Sequence, residues 1–166
     1  MCIRDSNTGH LGYLAALSID RLPELTDLIA NDGFVVEHRT VLSVDSPQLP
    51  PSVGRYALNE VALSKEESAS MIYASVCLDG EPLADYKADG LLVATSTGST
   101  AYNLSVGGPI VQPTVPVWVL SPVAAHSLSM RPMVVDSRAT ISIVPTGRSP
   151  HVRLSLIHIS EPTRPY

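Results

Sequence analysis

Cysteine is nearly missing from this chain of 166 residues, with only Cys2 and Cys77 present. Two isolated thiols exclude a disulfide framework and a paired-cysteine metal motif, and they fit a reducing compartment, by default the cytoplasm. Basic residues are also scarce: 11 Lys and Arg against 16 Asp and Glu give a net charge of −5. A nucleic-acid binder ordinarily presents a basic stripe, so broad attraction to a phosphate backbone is excluded, whereas a small anionic ligand needs only a few local donors. Aromatics make up 5% of the chain, which leaves Val, Leu, Ile and Ala to build a core and favours strands with β-branched interiors. No apolar run approaches the roughly 20 residues that span a bilayer. No apolar signal region follows the first residues either, so neither membrane insertion nor secretion finds support.

What the chain does have is apolar content, 45% against 16% charged, and fourteen prolines. That balance suits one globular core built from many short elements and turns. The opening Met1-Cys-Ile-Arg-Asp-Ser6 and the closing Ser155-Leu-Ile-His-Ile-Ser-Glu-Pro-Thr-Arg-Pro-Tyr166 are similar to translated sequencing-adapter sequence. Both are set aside from fold reasoning, leaving 7–154 as the native segment.

Within that segment, Leu22, Leu25, Leu28 and Ile29 recur at helical spacing, with Pro23 and Glu24 suited to a first turn. A short helix starting near Asp20 and stopped by Asn31-Asp-Gly33 is expected. Thereafter the pattern is β. Phe34 to Val44, Arg55 to Leu63, Met71 to Leu78, Leu83 onward, Leu91 to Thr95, Val115 to Leu120 and Ala139 to Val144 are strand candidates. Asp79-Gly80, between two of them, is the strongest hairpin signal. The expected architecture is a β-sandwich-like domain over 34–154 with a helical lead-in over 7–33.

Two places carry residues suited to chemistry. In the first, the apolar run Leu91-Leu-Val-Ala-Thr95 opens into five small residues, Ser96 to Thr100. Hydroxyls and unhindered backbone N–H groups there can surround an anionic or hydroxylated ligand. Ala101 to Ser105 suits a short helical turn, and Gly107-Gly108-Pro109 would end it. The block lacks the Gly-Lys-Ser/Thr of a Walker A loop and the glycine spacing of a dinucleotide fingerprint. By residue type alone it is equally an ordinary strand-to-turn junction, the commoner use of Ser, Thr and Gly. In the second place, Asn59 and Glu60 adjoin in a run of Leu, Val and Ala. Neighbouring strand residues point to opposite faces, so one of the two is carried inward and needs a partner, unless the strand is an edge with both groups solvated. His10, His38, His126 and His151 show no paired ligand spacing, and His126 reads as a local hydrogen-bonding residue rather than a base.

In their order along the chain, four blocks resemble the NAD kinase family. They are Asn7-Thr-Gly-His-Leu-Gly-Tyr-Leu14, the pair Asn59-Glu60, Asp89-Gly-Leu through Thr97-Gly-Ser-Thr-Ala-Tyr-Asn-Leu-Ser-Val-Gly-Gly-Pro109, and Ser121-Pro-Val-Ala-Ala-His-Ser-Leu-Ser-Met-Arg-Pro132. The resemblance implies a mainly β NAD-binding domain attached to an α/β N-terminal domain, α+β overall, of which 7–33 is a remnant. It implies transfer of a phosphoryl group from ATP, with Mg or Mn, to the 2′-hydroxyl of the adenosine ribose of NAD. By position it assigns NAD contacts to Asn59, Glu60, Ser70, Lys87, Asp89, Thr100, Ala101, Tyr102, Asn103, Leu104 and Ser105, and no metal ligand to this chain. A homodimer or homotetramer is the assembly it implies.

The family's Gly-Gly-Asp-Gly motif, whose aspartate is its catalytic carboxylate, does not occur in these residues. The chain is therefore expected to recognise the acceptor without turning it over. A lipid-kinase-like relative and a non-catalytic β-sandwich binding or oligomerisation module are the alternatives.

Overall fold

The computed structural model describes residues 6–7, 17–18, 21–52, 54–66, 71–127, 129–146 and 152–157. The chain divides into two units, Met1–Glu37 and His38–Tyr166, a few residues beyond the expected boundary at 33.

In the first unit, β1 (Ser6–Asn7) and β2 (Leu17–Ser18) pair in parallel. Helix α1 (Leu22–Ala30) carries a proline in its first turn, where the missing N–H costs nothing, and acidic Glu24 beside it. Arg21 pairs with Glu24 at 2.7 Å on the exposed side. The helix stops where expected: Asp32 adopts a positive φ of 51°, and the Gly33 N–H donates to the Leu28 carbonyl at 2.8 Å.

Among the described residues the regular structure of the second unit is β, apart from two short helical segments within 97–105. β3 (Leu42–Ser43) pairs with β4 (Tyr56–Ala57). A five-stranded sheet runs in the order β10-β9-β8-β5-β12, and a three-stranded sheet in the order β11-β6-β7. The strands are β5 (Glu60–Lys65), β6 (Ile72–Leu78), β7 (Glu81–Ala88), β8 (Gly90–Thr95), β9 (Val117–Val123), β10 (Met133–Asp136), β11 (Ile141–Thr146) and β12 (Val152–Ile157). All pairings in these two sheets are antiparallel. Asp79 and Gly80 close the β6–β7 hairpin with φ of 52° and 87°, the left-handed pair that matches the twist of the flanking strands.

The core explains why the two sheets face each other. Val61, Leu63, Leu91, Val93, Trp118 and Leu120 of the larger sheet cluster with Ile72, Val76 and Tyr86 of the smaller one. With a period of two, the alternate residues Ala62, Leu92, Ala94 and Val119 lie on the opposite face, where Val106 and Val111 pack against them. β8 is thus buried on both faces along all six residues, which is why it reads as a continuous apolar run.

Two sequence expectations need revision. Residues 33–41 form no strand, and only Leu42–Ser43 of the expected Phe34–Val44 strand is paired. β-branched residues favour extended backbone, but a strand also needs a ladder and a face to bury, and Val35 is 90% exposed. The expected Arg55–Leu63 strand breaks at Leu58 and Asn59, because both their carbonyls are taken by Thr95. β12 runs through Ser155, Leu156 and Ile157, which pair with Ala62, Val61 and Glu60.

Candidate functional site

The hydroxyl-rich segment after β8 is tied down from within. Thr95 is buried, its Oγ1 donates to the Leu58 carbonyl, and the same oxygen accepts the Gly98 N–H at 3.0 Å. That bond opens a 3₁₀ turn over Thr97–Thr100. Ser96 donates to the Val115 carbonyl. Ser99, fully buried, donates its hydroxyl to the Ser96 carbonyl at 2.7 Å and accepts the Val111 N–H at 3.0 Å. Helix α2 (Tyr102–Ser105) follows, and Gly107 ends it with a φ of 81°. Most of the hydroxyls that marked this block in the sequence therefore hold its own backbone rather than face a ligand.

Asn103 does the same for α2. Its amide donates to the carbonyls of Ser99 and Pro109 at 3.1 and 3.0 Å, and its Oδ1 accepts the Ser121 hydroxyl at 2.7 Å. Gly108 lies against that amide so closely that a β-carbon would come within 2.0 Å of Oδ1. Of the expected contact residues, Asn103 is thus committed to the fold, while Tyr102, Leu104 and Ser105 are exposed on α2, and Thr100 and Ala101 are half-buried.

Two polar atoms escape this internal satisfaction. Among the described residues, Glu60 Oε2 and Thr97 Oγ1 are buried without a hydrogen-bond partner. One belongs to a residue flanking Asn59, the other to a neighbour of a residue that contacts Asn59. Glu60 is its chain neighbour, and the next residue after Thr97, Gly98, sits where a β-carbon would lie 2.0 Å from the Asn59 carbonyl oxygen. Glu60 is 1% exposed in β5, which lies between β12 and β8, so the solvated-edge reading of the pair does not hold. Desolvation pushes its carboxyl up to about 7, against the pull of the Tyr102 backbone N–H, which lowers it.

Beside Tyr102 opens a cleft of about 250 Å³, lined by Ala62, Leu63, Ser64, Lys65, Asp89, Gly90, Tyr102 and Val123. Asp89 pairs there with Lys65 at 2.8 Å. Lys87 is elsewhere: it stands on the smaller sheet with its ammonium 5.0 Å from the centre of the Tyr73 ring. His126 is exposed, and its N–H donates to the Lys87 carbonyl. Ser70, His10 and His151, and most of the block from Asn7 to Leu14, fall outside the described residues. Sequence reasoning missed Thr97 as a separate polar group, and it missed Lys65. A hydroxyl among five small residues carried no sign of which one would be left without a partner.

A family model described as the ATP-NAD kinase C-terminal domain matches residues 58–158. That span holds the Asn59 junction, the cleft and all of the larger sheet. The chain belongs to the NAD kinase family. It is 43% identical over 150 residues to an NAD kinase of Porphyromonas gingivalis, covering 90% of this chain and 51% of the relative. Among solved structures it resembles a yeast NADH kinase complexed with NADH, with a TM-score of 0.79, 33% identity and coverage of 89% of this chain and 43% of that one. It also resembles an NAD kinase from Archaeoglobus fulgidus in complex with ATP, with a TM-score of 0.77, 26% identity and coverage of 93% and 58%. The chain spans about half the length of the curated NAD kinases it matches.

Proposed function

We propose that this chain forms the NAD-recognising part of a longer NAD kinase that transfers the terminal phosphoryl group of ATP to the 2′-hydroxyl of the adenosine ribose. The products are NADP and ADP. The observation that carries this reading is the buried Glu60 oxygen without a partner at the start of β5, next to Asn59 in the chain, while the Thr97 hydroxyl is likewise unpartnered in a loop otherwise satisfied from within. A ribose diol supplies hydroxyl donors of the kind a carboxylate oxygen accepts, and an unpaired buried carboxylate oxygen is costly without one. The NADH bound to one structural relative and the ATP bound to the other support the same substrates here.

In this reading, Asn59 and Glu60 hold the dinucleotide, Tyr102 offers an aromatic face at the cleft, and Asp89 accepts a hydrogen bond from the ligand. Thr100, Ala101, Leu104 and Ser105 line it, and Ser70 and Lys87 remain further candidate contacts. Asn103 shapes the loop through its three hydrogen bonds. Phosphoryl transfer depends mostly on positioning and charge stabilisation, and these residues serve to orient the acceptor hydroxyl.

Among the described residues, no group of three or more His, Cys, Asp or Glu side chains converges to hold a metal ion. The divalent ion, Mg or Mn, would enter with ATP in the longer protein. That protein would act in the cytoplasm as a homodimer or homotetramer.

Calorimetric titration of NAD tests the site. Asn59→Ala, Glu60→Ala and Asp89→Ala should each weaken binding by about tenfold or more, the effect of losing one well-placed hydrogen bond to a charged or buried group. Unchanged affinity in all three would remove the assignments.

A further inference from the structure

Lys65 lies outside the four sequence blocks that mark the family, yet it makes the closest charged contact in the cleft. The backbone around it is fixed from both sides. Its N–H donates to the Asp89 carbonyl at 3.0 Å, and the Asp89 N–H donates to the Val123 carbonyl at 2.9 Å. Gly90 presses on the same strand: a β-carbon there would lie 2.8 Å from the Leu63 carbonyl oxygen. The Cα of Asp89 therefore has little freedom, and what remains open is the direction of its carboxylate. That side chain is 40% exposed, enough to rotate into water, but Lys65 Nζ holds Oδ1 at 2.8 Å.

We propose that Lys65 is a positioning residue for Asp89. It fixes one carboxylate oxygen so that the other is presented to a hydroxyl or amide of the dinucleotide, and it cancels the charge that would otherwise repel the ligand's diphosphate. This proposal rests on the reading of the cleft as part of the NAD site. A half-exposed ion pair contributes little to folding, because water competes for both groups and salt screens them. Its consequence should therefore appear in binding rather than in stability.

The experiment is calorimetric titration of this chain with NAD, paired with thermal melting, for Lys65→Met, Lys65→Arg, Asp89→Asn and the Lys65→Met/Asp89→Asn double variant. Lys65→Met should weaken NAD binding about tenfold, and the double variant should be little weaker than Asp89→Asn alone, as expected for two residues acting as a unit. Lys65→Arg should bind within about threefold of the parent, since a guanidinium can also hold the carboxylate. Melting temperatures should stay together. Parent-like affinity in Lys65→Met alongside weakened Asp89→Asn would overturn the positioning role and leave the site reading intact. A lowered melting temperature in Lys65→Met, recovered in parallel with binding by Lys65→Arg, would overturn it in favour of a structural role. Parent-like affinity in Asp89→Asn and in Glu60→Ala alike would instead remove the site reading on which it depends.

Discussion

Glu60 shows how much one residue's meaning depends on what surrounds it. The sequence places a carboxylate among Leu, Val and Ala, and the structure makes it 1% exposed with one oxygen unpartnered. Burial raises its pKa from 4.5 to about 7, so between these values the folded chain holds a proton that the unfolded chain has released. Stability should therefore fall as pH rises across that window, by at most on the order of 3 kcal/mol for a shift of this size, and change no further above it. Glu60→Gln keeps the shape and cannot ionise. Thermal melts from acid to mildly alkaline pH should show this variant less dependent on pH than the parent and more stable above neutrality. An unaltered pH profile in Glu60→Gln would show that Glu60 is not the group responsible. The sequence left open whether this pair is buried or solvated on an edge strand. It did not reveal that the carboxylate, rather than the Asn59 amide, is the one enclosed, because that is set by which face of β5 the segment 96–111 covers.

At the scale of elements, β8 and the loop after it were readable because their chemistry is local. A strand buried on both faces must be apolar throughout, and the left-handed turn at Asp79-Gly80 needs residues that tolerate positive φ. The expected turn at 101–105 is likewise present as α2. What failed was the strand at 34–44 and the unbroken one at 55–63, since pairing partners are not encoded in either segment. The loop's rigidity rests on contact between distant elements, chiefly Gly98 against the Asn59 backbone. Gly98→Ala should cost about 3 kcal/mol or more, because a backbone carbonyl cannot move aside as a flexible side chain can. Chemical denaturation measures this directly, and a loss below about 1 kcal/mol would show that the Asn59 backbone can give way to a methyl group.

For the whole molecule, the division falls at Glu37 and His38, inside residues 33–41, which form no strand and include exposed Val35 and Val36. Exposed segments outside regular structure open most readily to proteases. Limited proteolysis should therefore cut first within 33–41, leaving a larger product whose melting transition matches that of the parent. First cleavage within β5, β8 or β9 would contradict the division. By itself the sequence determined the apolar interior strand, the two turns, the short helix and the family, because propensity, periodicity and motif order are properties of neighbouring residues. Tertiary structure alone decided that Ser96, Ser99 and Asn103 serve the fold, that among the described residues one Glu60 oxygen and the Thr97 hydroxyl are left without partners, and that Lys65 meets Asp89. Those outcomes depend in part on segments distant in sequence, such as Val115 for Ser96 and Ser121 for Asn103, which meet only when the strands take their register.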